Sequence, residues 1–356
     1  MNARLLILAL ACFLPVRPAL AISAARQAAL DEVVWAGLRG KAEDLYKEGK
    51  LKEAIDAAER ALVIARRRFP PTERKRALTL TALATLYSET GRTKEAEALF
   101  HEAISASETS LGPAHPFLAV NLNRLATLYF SSGRFREAEP LLWRSLKIIE
   151  TANGPEDVGV LALLGNLGTV EMELGKPDVA AVVLRRALGL EEDRQGEGSE
   201  RRLLLLGNLT RALGAAGKPE QALKFAIESS KLAEKLRDKD HLLVGMVSLA
   251  QAALRHRLGQ DKEALPLQQR GVDILRTNFG EDHPAVVAGR RLLRDMERDA
   301  ERKTSMARLS ERLGAGWDTV SRWLAALKPA PPAAAPRSWK DLHERALKSY
   351  VEGRYA

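Results

Sequence analysis

The chain has 356 residues, a net charge of +9 and 46% hydrophobic residues, which is enough for roughly one to three globular domains or one long repeat array. The mixed charge and ordinary apolar content exclude a largely disordered chain and a multi-span membrane protein. Leu and Ala are abundant and aromatic residues make up only 5%, which favours helices. The single cysteine excludes a disulfide scaffold and a cysteine-based metal site.

The first 21 residues have the three-part pattern of a secretory signal peptide. Residues 1–4 carry a positive charge, residues 5–14 are an unbroken apolar run, and Ala19-Leu20-Ala21 is an Ala-x-Ala cleavage site. The apolar run is too short to span a bilayer stably. We therefore expect cleavage after Ala21 and an exported protein, either periplasmic or secreted.

Cleavage at this position also removes Cys12, the one cysteine of the chain. A thiol-free mature chain suits an oxidising compartment. As an alternative, Cys12 is the lipid-modified residue of a lipoprotein, although Ala9-Leu10-Ala11 matches the usual preceding residues poorly. Membrane association is thus expected only through the signal peptide or a lipid anchor at Cys12.

Glycine recurs every 42 residues through the middle of the chain. The six positions are Gly49, Gly91, Gly133, Gly175, Gly217 and Gly259. An alanine follows each glycine by five residues, and a small residue follows each by twelve. The alanines at the first spacing are Ala54, Ala96, Ala138, Ala180, Ala222 and Ala264. The small residues at the second spacing are Ala61, Ala103, Ser145, Ala187, Ser229 and Gly271. Such regularity indicates a repeat protein.

Each 42-residue period predicts two helices. Apolar residues at helical spacing, such as Leu80, Leu83, Ala84 and Tyr87, form the first helix, which ends at the glycine in a left-handed conformation. The second helix is expected near residues 95–107 in one repeat and near residues 137–150 in the next. A second series of glycines ends it: Gly112, Gly154, Gly196 and Gly280. The next first helix starts with a cap residue or an early proline, as at Thr72, Asp157, Ser199, Pro116 and Pro284.

Over residues 35–302 these features resemble tetratricopeptide repeats. The period of 42 and the turns Leu111-Gly-Pro-Ala-His-Pro116 and Phe279-Gly-Glu-Asp-His-Pro284 are most similar to the kinesin light chain type. The resemblance implies an all-α fold, a right-handed α-solenoid of about six to seven helix hairpins. We place the array, six units and a capping helix, at residues 22–303. The sixth unit departs from the pattern, because Gln251 and Arg255 replace apolar residues.

The resemblance also implies a concave groove, lined by the first helices, that holds a protein or peptide partner of unknown identity. The expected groove residues are Thr81, Asn123, Arg124, Thr127, Asn166, Asn208 and Arg211. Their amides would pair with a peptide backbone and their arginines with carboxylates. The alternative is that these are solvated polar positions without a ligand.

No pattern in the sequence predicts catalysis, a cofactor or a small-molecule substrate. The chain has no Gly-x-Ser-x-Gly, phosphate loop, His-Glu-x-x-His or cysteine nucleophile. Three histidines, His115, His241 and His283, share one phase of the repeat, but the same loop in different hairpins cannot converge on one ion. We therefore predict no metal site, no enzymatic activity and a scaffold function.

The C-terminal region contains the strongest competing motif. Residues 304–327 are expected to form a helical hairpin, and residues 309–327 resemble the two-helix core of DNA-binding helix-turn-helix domains. A cytosolic DNA-binding regulator is therefore the alternative function, but nucleic acid is not the expected partner, because Ser321 and Arg322 are among few base-reading donors. Export would also separate the chain from the chromosome.

Two further segments follow the expected helical hairpin. Residues 328–337 are a stiff Pro/Ala linker. Residues 338–356 resemble an incomplete repeat, since Trp339 precedes Gly353 by the same interval as Trp35 precedes Gly49. This half-repeat either pairs with another chain or belongs to a longer array of which the sequence is the front part.

Overall fold

The computed structural model describes residues 16–195 and 200–313, and the side chains of residues 26–191 and 200–305. This described part consists of helices and connecting turns, with no strand. It divides into two compact units: unit 1 ends at Gly154, and unit 2 begins at Pro155. Unit 1 contains the helices α1 (Val16–Lys47), α2 (Leu51–Arg68), α3 (Arg74–Glu89), α4 (Thr93–Leu111), α5 (Pro116–Ser131) and α6 (Phe135–Asn153).

Unit 2 repeats the same arrangement of paired helices. Its members are α7 (Val158–Glu173), α8 (Pro177–Gln195), α9 (Glu200–Ala215), α10 (Pro219–Leu236), α11 (Leu242–Arg257), α12 (Asp261–Phe279) and α13 (Pro284–Leu313). Within each unit every first helix packs on the second helix of its own hairpin and, where a hairpin precedes it in that unit, on the preceding second helix. The prediction of an all-α solenoid of helix hairpins is therefore confirmed. The described residues hold six hairpins and one further helix.

Both series of glycines mark helix ends, as predicted. All six glycines of the first series have positive φ, for example +73° at Gly133, which ends the first helix of the third hairpin. Gly112, Gly154 and Gly280 of the second series also have positive φ, and Gly196 lies outside the described residues. A side chain is disfavoured in this conformation, which is why glycine recurs at these corners.

The helix starts were predicted less accurately than the helix ends. Asp157 caps α7 by accepting a hydrogen bond from the Gly159 amide at 2.7 Å, as expected. Thr72 is wrong as a cap, because α3 begins at Arg74 after Glu73, whose side chain forms no capping bond. Ser199 lies outside the described residues.

Three histidines cap helices, a role that the sequence did not reveal. The Nδ1 atoms of His115, His241 and His283 accept hydrogen bonds from the backbone amide two residues ahead at 3.1, 3.2 and 3.3 Å. Each ring therefore satisfies one of the free N–H groups of a first helix. Their shared phase in the repeat reflects this structural role.

The small residues of the second helices lie in the core. The six alanines that follow the glycines by five residues are all fully buried: Ala54, Ala96, Ala138, Ala180, Ala222 and Ala264. At the position seven residues later, the Ser145 hydroxyl donates to the Ala119 carbonyl of α5 at 2.8 Å, so the two helices approach closely. A large side chain has no room there.

The two helices of the sixth hairpin, α11 and α12, also approach each other closely. A Cβ atom at Gly271 would lie 2.5 Å from the Leu249 side chain and 3.0 Å from the Gly245 carbonyl oxygen. A Cβ atom at Gly245 would in turn lie 2.8 Å from the Ile274 side chain, so glycine at both positions lets α11 and α12 pack closely. Gln251, which departs from the repeat pattern, is buried in α11 all the same.

Tyrosine and arginine at matching repeat positions join neighbouring hairpins in unit 1. The Arg92 guanidinium lies 3.7 Å from the centre of the Tyr87 ring, and the Tyr87 hydroxyl donates to Glu59 of α2 at 2.6 Å. Burial, together with this hydrogen bond, raises the pKa of Tyr87 to about 12. Tyr129 and Arg134 repeat the stacking one period later, at 4.0 Å.

Helix α13 crosses one predicted boundary. It runs without interruption from Pro284 to Leu313, so the division proposed between residues 303 and 304 falls inside a helix. At the other end of the described part, α1 begins at Val16 and includes the proposed cleavage site at Ala21. The predicted linker at 328–337 and the half-repeat at 338–356 lie outside the described residues.

Candidate peptide-binding groove

The first helices of three consecutive hairpins in unit 1 line one cavity of about 310 Å³. Helix α1 supplies Arg39, Ala42, Glu43 and Tyr46, α3 supplies Leu78, Thr81, Ala82, Thr85 and Leu86, and α5 supplies Phe117 and Arg124. The spacing in α1, with steps of three, one and three residues, places all four of its members on one helical face. We call this cavity the unit 1 groove.

The rim of the unit 1 groove is positively charged. The Arg124 guanidinium donates to the Thr85 hydroxyl at 3.1 Å, and the Arg39 guanidinium lies 5.7 Å from the centre of the Trp35 ring. Neither arginine forms an ion pair within the described side chains. Both are available to a carboxylate from outside the chain.

The acidic residue among those that line the groove, Glu43, already has a partner in its own helix. Glu43 accepts a hydrogen bond from Lys47 at 2.8 Å, which holds the pKa of this carboxyl below its ordinary value. Tyr46 donates to Glu89 at 2.6 Å, and this hydrogen bond raises the pKa of the phenol. The groove therefore combines an apolar floor with two arginines that form no ion pair among the described side chains.

The predicted groove residues of unit 1 fall into two groups. Arg124 and Thr81 line the cavity, although Thr81 is mostly buried and donates to the Asn121 amide oxygen at 2.7 Å. Asn123 is half-buried and Thr127 is exposed, and neither is among the cavity residues. The Thr127 hydroxyl donates to the Asn123 carbonyl at 2.9 Å, a bond within the helix.

The remaining predicted residues belong to unit 2. Asn166 on α7 is exposed and Asn208, at the same position of α9, is half-buried. Arg211 is exposed, with its guanidinium 4.0 Å from the Glu173 carboxylate. At that distance on the surface the ion pair is weak, so Arg211 can rearrange to meet another carboxylate.

Sequence reasoning missed Arg39, Tyr46 and Phe117. Helix α1 has the same three- and four-residue spacing that identified the other first helices. This spacing could have been used to predict Arg39 and Tyr46 as groove residues. Phe117 directly follows the proline that starts α5, a position at which a helix start rather than a ligand contact is expected.

Two other classes of site are absent from the described residues. Neither unit, over the residues described, contains a group of three or more His, Cys, Asp and Glu placed to hold a metal ion. Within the same part of the chain, no helix combines the length and apolar character needed to cross a membrane.

The repeat geometry agrees with a match to a family model, the tetratricopeptide repeat. The model matches residues 36–109, 75–151, 117–193 and 201–277, which together cover more than half of the chain. The chain belongs to the tetratricopeptide repeat family. Proteins built from tetratricopeptide repeats generally act as scaffolds for protein interactions rather than as enzymes. The matched residues end upstream of segment 309–327, of which residues 314–327 lie outside the described part.

Several solved structures share this fold. BtubC (BKLC) from P. vanneervenii is 23% identical, with a TM-score of 0.54 over 66% of this chain and 94% of that chain. Nearly identical TPR-like repeats from a Podosopora anserina protein described as a kinesin light chain are 21% identical, with a TM-score of 0.52 over 59% and 99%. The apo form of RapI is 16% identical, with a TM-score of 0.53 over 76% and 99%. No curated protein sequence matches the chain.

Proposed function

We propose that this chain is an exported, non-catalytic scaffold that binds a protein or peptide along the faces of its first helices. The unit 1 groove is the observation that carries the proposal, because three consecutive first helices contribute to one cavity with an apolar floor and a cationic rim. Such a groove suits an extended peptide or a partner helix. Neither a cofactor nor a small-molecule substrate is part of the proposal.

The lining residues suggest how a peptide is held. Leu78 and Phe117 offer contacts to an apolar side chain, and Arg39 with Arg124 offers hydrogen bonds to a carboxylate. In unit 2, the amides that recur on successive first helices are suited to a peptide backbone, because an amide both donates and accepts. The expected ligand is an extended segment that contains apolar and acidic residues.

Substitution of the polar groove residues is expected to prevent partner capture without unfolding the chain. In unit 1 we would combine Arg39→Glu with Arg124→Glu, and in unit 2 Asn166→Ala with Asn208→Ala and Arg211→Ala. Each variant is crosslinked with an envelope extract, and captured proteins are quantified by mass spectrometry. We expect at least a tenfold loss of the main captured proteins, since a removed charged contact costs about 1.5–3 kcal/mol.

A charge-matched control separates the groove from overall charge. Arg60 of α2 and Arg136 of α6 are exposed and do not line the cavity. The combination of Arg60→Glu and Arg136→Glu changes the net charge as the unit 1 variant does and should leave capture unchanged. Equal capture by the wild type and both groove variants, with circular dichroism unchanged, would contradict the groove assignment.

The export part of the proposal rests on residues 1–21 and has its own test. Cell fractionation followed by N-terminal sequencing should find a mature chain that begins at Ile22 outside the cytosol. Metabolic labelling with palmitate tests the lipoprotein alternative, and any label should be lost on Cys12→Ser. An unprocessed chain with Met1 in the cytosolic fraction would rule out export and favour the DNA-binding alternative.

A further inference from the structure

Helix α1 carries a regular row of exposed residues on the face opposite to its core contacts. The row recurs with alternating steps of four and three residues, which keeps it on one side of the helix. Its members, which we call the α1 seam, are Arg26, Leu30, Val33, Gly37, Gly40 and Asp44. Leu30 is 56% exposed and Val33 is 69% exposed, although both are large apolar side chains.

In the two following hairpins of unit 1 the middle of the equivalent face is covered, whereas Arg124, at the repeat position of Gly40, is exposed. Thr79 of α3 and Asn121 of α5 stand at the repeat position of Gly37, and they are only 1% and 0% exposed. The preceding second helix packs there, α2 against α3 and α4 against α5. No hairpin precedes α1 in the described residues, so the α1 seam is the open end of this stack.

No contact among the described residues explains the two glycines of the seam. A Cβ atom at Gly37 or at Gly40 would meet no other atom within 4 Å. A glycine inside a helix costs about 1 kcal/mol relative to alanine. Close approach of a second helix gives both glycines a purpose, since small residues allow helix axes to come near each other.

The seam is complementary to itself when two copies run antiparallel. In the register symmetric about position 35, Val33 faces Gly37 of the partner copy and Leu30 faces Gly40, so that each large residue meets a gap. Arg26 then faces Asp44, and neither of these side chains has an ion pair among the described residues. A parallel pair would instead place like charges together.

We propose that two copies of this chain form a symmetric dimer through antiparallel packing of their α1 seams. Each contact occurs twice in such an interface, because the same surface is used by both copies. The unit 1 groove stays open, since Arg39 and Tyr46 lie on a different face of α1. The seam begins at Arg26, so cleavage after Ala21 would leave it intact.

Sedimentation velocity of the purified full chain over a wide concentration range tests the dimer. We expect a concentration-dependent monomer–dimer equilibrium that is lost when Gly37→Gln is combined with Gly40→Gln. Glutamine is a better helix former than glycine, so loss of the dimer cannot be attributed to a weakened helix. As the matched control, Gly189 and Gly207 are also exposed, mid-helix and unobstructed, and their change to Gln should leave the dimer intact.

A charge exchange tests the antiparallel register. Arg26→Glu creates two repulsive pairs and should raise the dimer dissociation constant about tenfold at low salt. Combining Arg26→Glu with Asp44→Arg should restore the original value. A wild-type chain that is monomeric at every concentration would overturn the proposal, as would a dimer insensitive to both the glycine and the charge variants.

Discussion

Trp35→Ala is expected to lower the free energy of unfolding of unit 1 by about 3–5 kcal/mol, the usual cost of removing a large buried aromatic side chain. Trp35 is 6% exposed, and its ring meets the Phe69 ring edge-on with 5.0 Å between centres. It also packs with Ala61 and Ala65 of α2. The indole N–H donates to the Thr79 hydroxyl of α3 at 2.9 Å, so one side chain joins three helices.

The effect should be largest in the first hairpin, because stability in repeat proteins is the sum of local terms. Urea denaturation monitored by circular dichroism, a signal that does not depend on the tryptophan, measures the change in unfolding free energy. Amide exchange across α1 and α2 shows which helices are affected. Trp35→Phe keeps most of the apolar contact and should lose about 0.5–1.5 kcal/mol, the value of the hydrogen bond. Val63→Ala, at a side chain that is 67% exposed, should change stability by less than about 0.5 kcal/mol. Unchanged unfolding of Trp35→Ala would show that this cluster does not hold the hairpin.

The helix ends could be predicted because their cause is local. A corner with positive φ selects glycine whatever surrounds it, so Gly133 and the other repeat glycines mark turns in the sequence itself. The alanines of the second helices were predictable for a similar reason, since their spacing fixes the face that meets the neighbouring helix. Both signals recur six times, which removes ambiguity about register.

The helix starts and the groove depend on contacts that the sequence does not display. His241 acts as a cap because its ring is turned so that Nδ1 accepts from the Leu243 amide, and ring orientation is a tertiary property. Thr81 is mostly buried, and its hydroxyl donates a hydrogen bond to the amide oxygen of Asn121, forty residues later. Whether a side chain lines the cavity or faces solvent also depends on residues that are distant in the sequence.

The neighbours Asn123 and Arg124 show this limit most clearly. Both are polar residues on the same first helix, and both were expected in the groove. Successive residues of a helix point about 100° apart, and the structure places only Arg124 among the cavity residues. The family resemblance predicted which helices line the groove, while the packing of α5 on its neighbours decided which side chains do.

Ala138→Leu is expected to cost roughly 1–3 kcal/mol of unfolding free energy, because extra methyl groups in a close-packed core force neighbouring atoms apart. Ala138 is 0% exposed and belongs to α6, which packs on α5. Seven residues later, the 2.8 Å bond from Ser145 to the Ala119 carbonyl shows how near the two backbones are. Neither helix can retreat without breaking that bond.

Ala152→Leu is the control, since Ala152 is on the same helix but exposed. It makes the same chemical change without entering the core and should leave stability within about 0.5 kcal/mol of the wild type. Urea denaturation of both variants measures the difference, and amide exchange in α5 and α6 should rise only for Ala138→Leu. If the two variants unfold alike, then the alanines that follow the glycines by five residues are not the contact positions of the repeat. The 42-residue register would then have to be reassigned, since those alanines are what fixes the facing sides of the two helices.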